Sequence, residues 1–373
     1  MSKKVFKYIT ILFLLIFFIS CASTNVVESP YKWISFDAMK AKSPLPRISH
    51  SLASLGNGRA ILFGGLIYER KMNKYLVIGD TWIYEQGSNS WSNHTIKEKD
   101  MDAMSVSSSV MAENPPYRIA SAMSYIGDNK AILFGGYGQE LLSDTWIFNG
   151  EKNIWTNVSV LTEKTPEKRS YHTMAYLGDG KVLLFGGVTG SDASIFLNDT
   201  WIYDINTNKW EEYKQNGKIP DVRREHAMAH LGNGKAILYG GGNMDGAKDD
   251  TWIFDINNNG WTELKISGTQ PSVRVGHDMA NLSEGKVILF GGYYRRRAGD
   301  KLYFPSKYVW EFNLETKQWL RYIYNGSKPQ GRKGNRLAPL EENKVILFGG
   351  SRTNNDNKWD FLADTWQLLP LSE

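Results

Sequence analysis

The chain has 373 residues with 13 Trp, 19 Tyr, 35 Gly and one cysteine, Cys21. A lone cysteine excludes an internal disulfide and any multi-cysteine zinc centre. The formal charge is +5, and residues 1–20 carry Lys3, Lys4 and Lys7 with no acid, so the rest of the chain holds +2. That is too weak a charge to argue for nucleic acid as a partner.

The chain opens on a short basic stretch, Met1 to Lys7, followed by the apolar run Ile9 to Ile19. The run is shorter than the roughly 18–20 residues a spanning helix needs, and its form is that of a secretory signal over residues 1–20. Phe18-Ile19-Ser20-Cys21 resembles a bacterial lipobox, in which a small residue precedes a cysteine that becomes lipidated; Phe18 departs from the usual Leu. The resemblance implies acyl chains on Cys21 and a membrane as one partner, in the cell envelope. Residues 21–30 are small and polar and are expected to form a tether.

From residue 31 onward one pattern recurs. An apolar run ends in a glycine pair six times: Gly64-Gly65, Gly135-Gly136, Gly186-Gly187, Gly240-Gly241, Gly291-Gly292 and Gly349-Gly350. Each run is preceded by a segment opening on an arginine, namely Arg47, Arg118, Arg169, Arg223, Arg274 or Arg332. Each glycine pair is followed by Asp-Thr-Trp, except in the fifth unit, where Tyr308-Val309-Trp310 stands. A second tryptophan follows nine residues on, giving Trp82/Trp91, Trp146/Trp155, Trp201/Trp210, Trp252/Trp261 and Trp310/Trp319. Four short strands per unit at a period of 50–70 residues predict a propeller.

The sixth unit ends on Trp366 and lacks its second tryptophan, while Trp33 precedes the first unit unclaimed. Trp33 lies 14 residues before Arg47, and Trp155 lies 14 before Arg169. The N-terminal strand is therefore expected to complete the last blade, leaving no open edge between the chain ends. The glycine pairs are read as sites of close backbone approach or positive φ. The tryptophans are read as packing between blades, and the aspartates as acceptors for backbone N–H groups at a turn.

A double glycine, a spaced tryptophan and a second tryptophan resemble the kelch family. The resemblance covers residues 31–373 and implies an all-β, six-bladed propeller with four-stranded antiparallel blades, expected as a monomer.

Loop lengths point to where function lies. The a–b turns are constant in length, whereas the b–c connections hold 14, 7, 11, 8, 15 and 13 residues. Variable loops on a rigid scaffold are the expected binding end. Candidates there are Tyr68 and Arg70 in the first unit, Tyr293, Tyr294, Arg295, Arg296 and Arg297 in the fifth, and Trp359 in the sixth. Aromatics beside arginine suit sugar rings, acidic groups or peptides. The six repeat arginines allow two readings, an anion-attracting rim or internal bridges. His50, His172, His226 and His277 share one repeat position on different blades, which suits packing better than a metal. No catalytic motif occurs in context, and no cofactor or metal is expected.

The function expected from these features is non-catalytic binding of a protein or glycan, as a lipid-anchored scaffold, through the variable b–c and d–a loops. The alternative is a small acidic-sugar epimerase, because periplasmic sialic-acid mutarotases share the six-bladed kelch fold. Its candidate groups are Glu225 and His226 beside Arg223 and Arg224, and Asp278 beside His277.

Overall fold

Each unit folds on itself because two apolar strands are flanked by turns of Asn, Asp and Gly, residues that tolerate the left-handed backbone such turns need. The computed structural model describes residues 25–36, 42–95, 114–159, 164–258, 260–294, 304–353 and 359–372. Regular structure among them is entirely β. Blade 1 holds strands a–d at Ser51–Gly56, Arg59–Glu69, Lys74–Glu85 and Ser90–Asn93. Blade 2 follows with Ala122–Tyr125, Lys130–Tyr137, Leu141–Asn149 and Ile154–Asn157. In blade 3 the strands are Thr173–Gly178, Lys181–Thr189, Ile195–Asp204 and Lys209–Glu212. Blade 4 has Ala227–Gly232, Lys235–Tyr239, Thr251–Asp255 and Gly260–Leu264. Those of blade 5 are Val275–Ser283, Lys286–Tyr294, Val309–Asn313 and Gln318–Ile323.

Blade 6 takes strands a–c from Arg336–Glu341, Lys344–Phe348 and Thr365–Pro370. Its strand d is Tyr31–Phe36, paired antiparallel from Tyr31↔Pro370 to Phe36↔Thr365. The two ends of the propeller are thus sewn together within one blade, as the unclaimed Trp33 predicts.

The b strands read as unbroken apolar runs because both of their faces are covered by neighbouring blades. Ala60 to Phe63 are fully buried, as are Val182 to Phe185. The apolar clusters accordingly cross blade boundaries: Ile132 and Phe134 of blade 2 pack with Val182 and Leu184 of blade 3.

One element departs from expectation. Within residues 21–30, read as a tether, Val26–Glu28 form a strand that pairs in parallel with strand d of blade 5. Val26-Val27 are β-branched and suit an extended edge, a local signal that the small polar composition around them concealed.

Candidate functional site

The six repeat arginines are buried to 1 % exposure or less. In blade 3, Arg169 donates from Nη1 and Nη2 to both oxygens of Asp199 at 2.6 Å, from Nη1 to the Gly186 carbonyl and from Nε to the Glu167 carbonyl. The same bidentate pair recurs as Arg47–Asp80, Arg118–Asp144, Arg223–Asp250 and Arg332–Asp364. Four of five guanidinium N–H groups are thereby used inside the blade. The anion-attracting rim is corrected by this geometry: the guanidinium groups point into the blade. The aspartates are corrected as well, since each accepts a guanidinium and an indole rather than only backbone N–H groups.

That indole is the first tryptophan of the motif. Trp201 Nε1 donates to Asp199 at 2.7 Å, and Trp82, Trp146, Trp252 and Trp366 do the same to their own aspartates. Burial pushes the Asp199 carboxyl up, but hydrogen bonds from Arg169 and Trp201 more than offset it and hold it below the usual carboxylate range. Asp250 and Asp364 behave alike. The threonine of the motif serves the next blade. Trp155 donates to Thr81, Trp210 to Thr145, Trp261 to Thr200, Trp319 to Thr251, and Trp91 to Thr365. Asp-Thr-Trp is therefore a relay: Asp closes its own blade and Thr latches the following one.

Blade 5 proves the rule by breaking it. With Tyr308-Val309 in place of Asp-Thr, the indole nitrogens of Trp310 and of Trp33 in blade 6 lack the Asp and Thr acceptors of the other blades, and Trp33 lies beside the Tyr324 hydroxyl instead. Arg274 Nη1 donates there to the Gly291 carbonyl at 3.2 Å and to Ser306 Oγ at 3.4 Å.

The glycine pairs carry the close approach expected of them. A Cβ on Gly186 would stand 2.9 Å from the Arg223 carbonyl of the next blade, and Gly187 donates its N–H to that same carbonyl at 2.9 Å. All twelve glycines have positive φ. The four histidines are buried and lie edge-on to the preceding blade's aromatic residue, as His172 does on Phe134. Burial first, then the adjacent Arg169, lowers His172 to about 3, so the ring is a neutral packing group. Among the described residues no group of three or more His, Cys, Asp and Glu is placed to hold a metal ion.

The b–c end gathers a different set. Two residues after each repeat arginine stands Ser49, Ala120, Tyr171, Glu225, Gly276 or Gly334, all with φ between 53° and 66°. Their backbones form a belt around the channel mouth: Ala120 donates to Ser49, Tyr171 to Ala120, Glu225 to Tyr171, Gly276 to Glu225 and Gly334 to Gly276. Only Gly adopts such backbone without strain, so Tyr171 and Glu225 are held there by the surrounding frame. Beside them lies a cavity of about 140 Å³ that Lys333, Arg336, His226 and His277 also line. Glu225 faces Arg224 at 3.8 Å. Of the epimerase candidates, Arg223 is consumed by Asp250, while His226 and His277 are buried, neutral imidazoles. Asp278 sits deeper, accepting the Leu337 N–H at 2.7 Å; burial raises it to about 6, against the pull of Arg336.

Above the mouth runs an arc of aromatic side chains over blades 5, 6 and 1. Tyr293 stacks on Trp359, with centroids 5.3 Å apart and planes at 21°. The ammonium of Lys333 lies 4.8 Å from the Tyr293 ring and 4.5 Å from that of Trp359, a cation–π arrangement. Burial lowers the Lys333 ammonium while nearby Glu225 raises it. Phe361 then meets Tyr75, and Tyr75 meets Tyr68. Tyr68, Tyr75 and Trp359 are each at least 40 % exposed.

Of the sequence candidates, the structure thus joins Tyr293 with Trp359, and places Tyr68 on the same arc. Arg70 is exposed at the tip of the blade 1 hairpin. Tyr294 ends its strand, and Cys21, Arg295, Arg296 and Arg297 lie outside the described residues. Lys333 was not singled out, because a lysine after a repeat arginine carries no motif. Glycine at two of the six belt positions was the signal for positive φ at the other four.

Comparison with known proteins agrees with this architecture. A family model described as the KLHDC2/KLHL20/DRC7 Kelch-repeats domain matches residues 98–292, just over half of the chain. An F-box/kelch-repeat protein of Arabidopsis thaliana is 28% identical over 75% of this chain and 60% of its own length. Adagio-like protein 3 of Oryza sativa is 28% identical over 65% of this chain and 40% of its own. Kelch domain-containing protein 1 of Homo sapiens is 27% identical over 78% and 72%. The chain thus spans 60% or less of the length of the first two relatives. With six glycine-pair blades and a family model over half its length, the chain belongs to the Kelch-repeat propellers.

Proposed function

We propose that this chain is a non-catalytic binding module, held in the cell envelope by acyl chains on Cys21, that takes a protein or glycan partner on the aromatic arc of its b–c end. The observation that carries the reading is two neighbouring ring groups, Tyr293 on Trp359 and Phe361 with Tyr75 and Tyr68, joined through the short strand Trp359–Phe361, with Lys333 set against the first two rings. Exposed clustered aromatics are uncommon on a free surface and are enriched where partners bind. Relatives named as an F-box/kelch-repeat protein and a kelch domain-containing protein support a scaffold that presents an interaction surface.

Scale argues against an enclosed small-molecule site. The mouth cavity, at about 140 Å³, falls below the roughly 300–1,000 Å³ of ordinary ligand pockets. The sugar-epimerase reading keeps one supporting observation, the strained Glu225 beside Arg224 and Lys333. A thermal-melt screen against neutral and acidic sugars separates the two. A bound sugar at a hundred times its Kd stabilises by about 2.7 kcal/mol. The binding-module reading expects no sugar-dependent shift that a Glu225→Gln variant, altered at the mouth and not on the arc, abolishes. Such a loss in the variant would transfer the site to the channel mouth and revive the enzyme.

A further inference from the structure

The strand Val26–Glu28 ties the anchored end of the chain to one place on the propeller's circumference. Its register is Val26↔Arg321, Val27↔Tyr322 and Glu28↔Ile323. Two backbone bonds flank it: Arg321 donates to the Asn25 carbonyl at 2.7 Å, and Ser29 donates to the Ile323 carbonyl at 3.0 Å. Asn25 therefore sits midway up the outermost strand of blade 5, on neither end of the disk. From Cys21 to Asn25 there are four Cα steps, which span at most about 14 Å even fully extended.

The rim at that place is unlike the rest. The two residues after the strand-d tryptophan are Ser92-Asn93, Thr156-Asn157, Glu211-Glu212 and Thr262-Glu263 in blades 1 to 4. In blades 5 and 6 they are Leu320-Arg321 and Ile34-Ser35. Around them Val27, Ile323 and Leu371 are 39 %, 49 % and 59 % exposed, and Leu371 is held at this edge by its N–H bond to the Pro30 carbonyl. At these two positions the circumference is polar or acidic in blades 1 to 4 and turns apolar in blades 5 and 6, where the anchored segment docks with Arg321 and the exposed Glu28 beside it. A lipid interface favours the exposed apolar side chains.

We propose that the outer rim of blades 5 and 6 faces the membrane, so that the propeller stands edge-on with its channel axis along the bilayer plane. This rests on the lipidated Cys21 reading above. In this pose neither end of the channel is pressed against lipid. The aromatic arc, which spans blades 5, 6 and 1, opens sideways close to the membrane surface, where it meets partners that share that surface.

The test uses the full-length protein extracted from membranes and placed in vesicles of phosphatidylethanolamine and phosphatidylglycerol. A thioether on Cys21 leaves no free thiol, so one introduced cysteine is labelled alone. Fluorophores are placed through Ile323→Cys on the blade 5 rim, Asn157→Cys on the opposite rim, and Met244→Cys, 84 % exposed on the blade 4 b–c hairpin. A nitroxide on the lipid headgroups then quenches whichever label lies near the bilayer. The expected result is several-fold stronger quenching at residue 323 than at 157 or 244. Val27→Pro, which interrupts the parallel pairing, should level the three without removing the acyl group. Equal quenching in the unaltered strand, or strongest quenching at 244, overturns the edge-on pose. The mass of the Cys21 peptide separates the two claims: an acylated Cys21 with level quenching sinks the orientation alone, and an unacylated Cys21 sinks the anchoring and the orientation together.

Discussion

Replacing Asp199 by Ala tests the relay that holds each blade. The substitution removes two bonds to Arg169 at 2.6 Å and one to Trp201 at 2.7 Å. It leaves a guanidinium of 0% exposure with only the carbonyls of Gly186 and Glu167. Breaking a buried ion pair by removing one partner costs about 3–5 kcal/mol. The Asp199 side chain is 26 % exposed, so water reaches its site and the lower end, about 3 kcal/mol, is expected. The assay is urea unfolding followed by tryptophan fluorescence, run for Asp199→Ala, Arg169→Met and the double variant. The double variant should be more stable than the sum of the single losses predicts, by about 2 kcal/mol, because the charge is no longer stranded. A single-variant loss below about 1 kcal/mol, the level of an exposed pair, or strict additivity in the cycle, would refute the relay.

Acid should unfold the protein in two stages. His172 and His277 are held to about 3, and His50 and His226 well below their ordinary value, chiefly by burial. Their stabilisation is complete above about pH 6.5 and is lost as pH falls toward the folded values, by about 1.4 kcal/mol per pH unit for each histidine. Asp278, raised to about 6 mainly by burial, acts with the opposite sign between about pH 4 and 6 and offsets one of them. Below about pH 4 the depressed carboxyls of Asp199, Asp250 and Asp364 add their loss. His172→Asn, the residue blade 6 carries as Asn335, should flatten the slope above pH 4 by one proton's worth; an unchanged slope contradicts the buried neutral ring. Gly186→Ala places a Cβ 2.9 Å from a backbone carbonyl at φ 67° and should cost at least about 1 kcal/mol, whereas Gly87→Ala, with nothing within 4 Å, should leave the melting temperature unchanged. Val309→Thr supplies the threonine hydroxyl that the second tryptophan of every other blade meets and the Trp33 indole does not. It should raise stability by about 1 kcal/mol if the hydrogen bond forms, and destabilisation would show that Trp33 is seated differently from its counterparts.

The fold was legible because its determinants are local and repeated. Gly-Gly, Asp-Thr-Trp and the second tryptophan each fix a contact that recurs around the ring, and Trp33 located the closure. The roles within the motif were less legible. That Asp199 accepts a guanidinium depends on Arg169, 30 residues upstream, which only folding brings to it. That Thr81 serves Trp155 depends on the seam between two blades. The site was half legible. Tyr293 and Trp359 stood out as odd aromatics in variable loops, but their stacking and the place of Lys333 between strands of different blades have no sequence signature. Val26–Glu28 escaped notice because a three-residue strand owes its order to the edge of blade 5 rather than to its own pattern.

The central claim, that the aromatic arc is the partner surface, is tested most directly by photo-crosslinking in intact cells. A photoreactive amino acid is placed at Tyr75, at Trp359, or at Met244, which is exposed on the same end but off the arc. The account predicts a discrete adduct from positions 75 and 359 that is absent from 244 and is lost from position 75 when Trp359 is changed to Ala. Adducts of equal yield at all three positions, or an adduct at 244 alone, would contradict it.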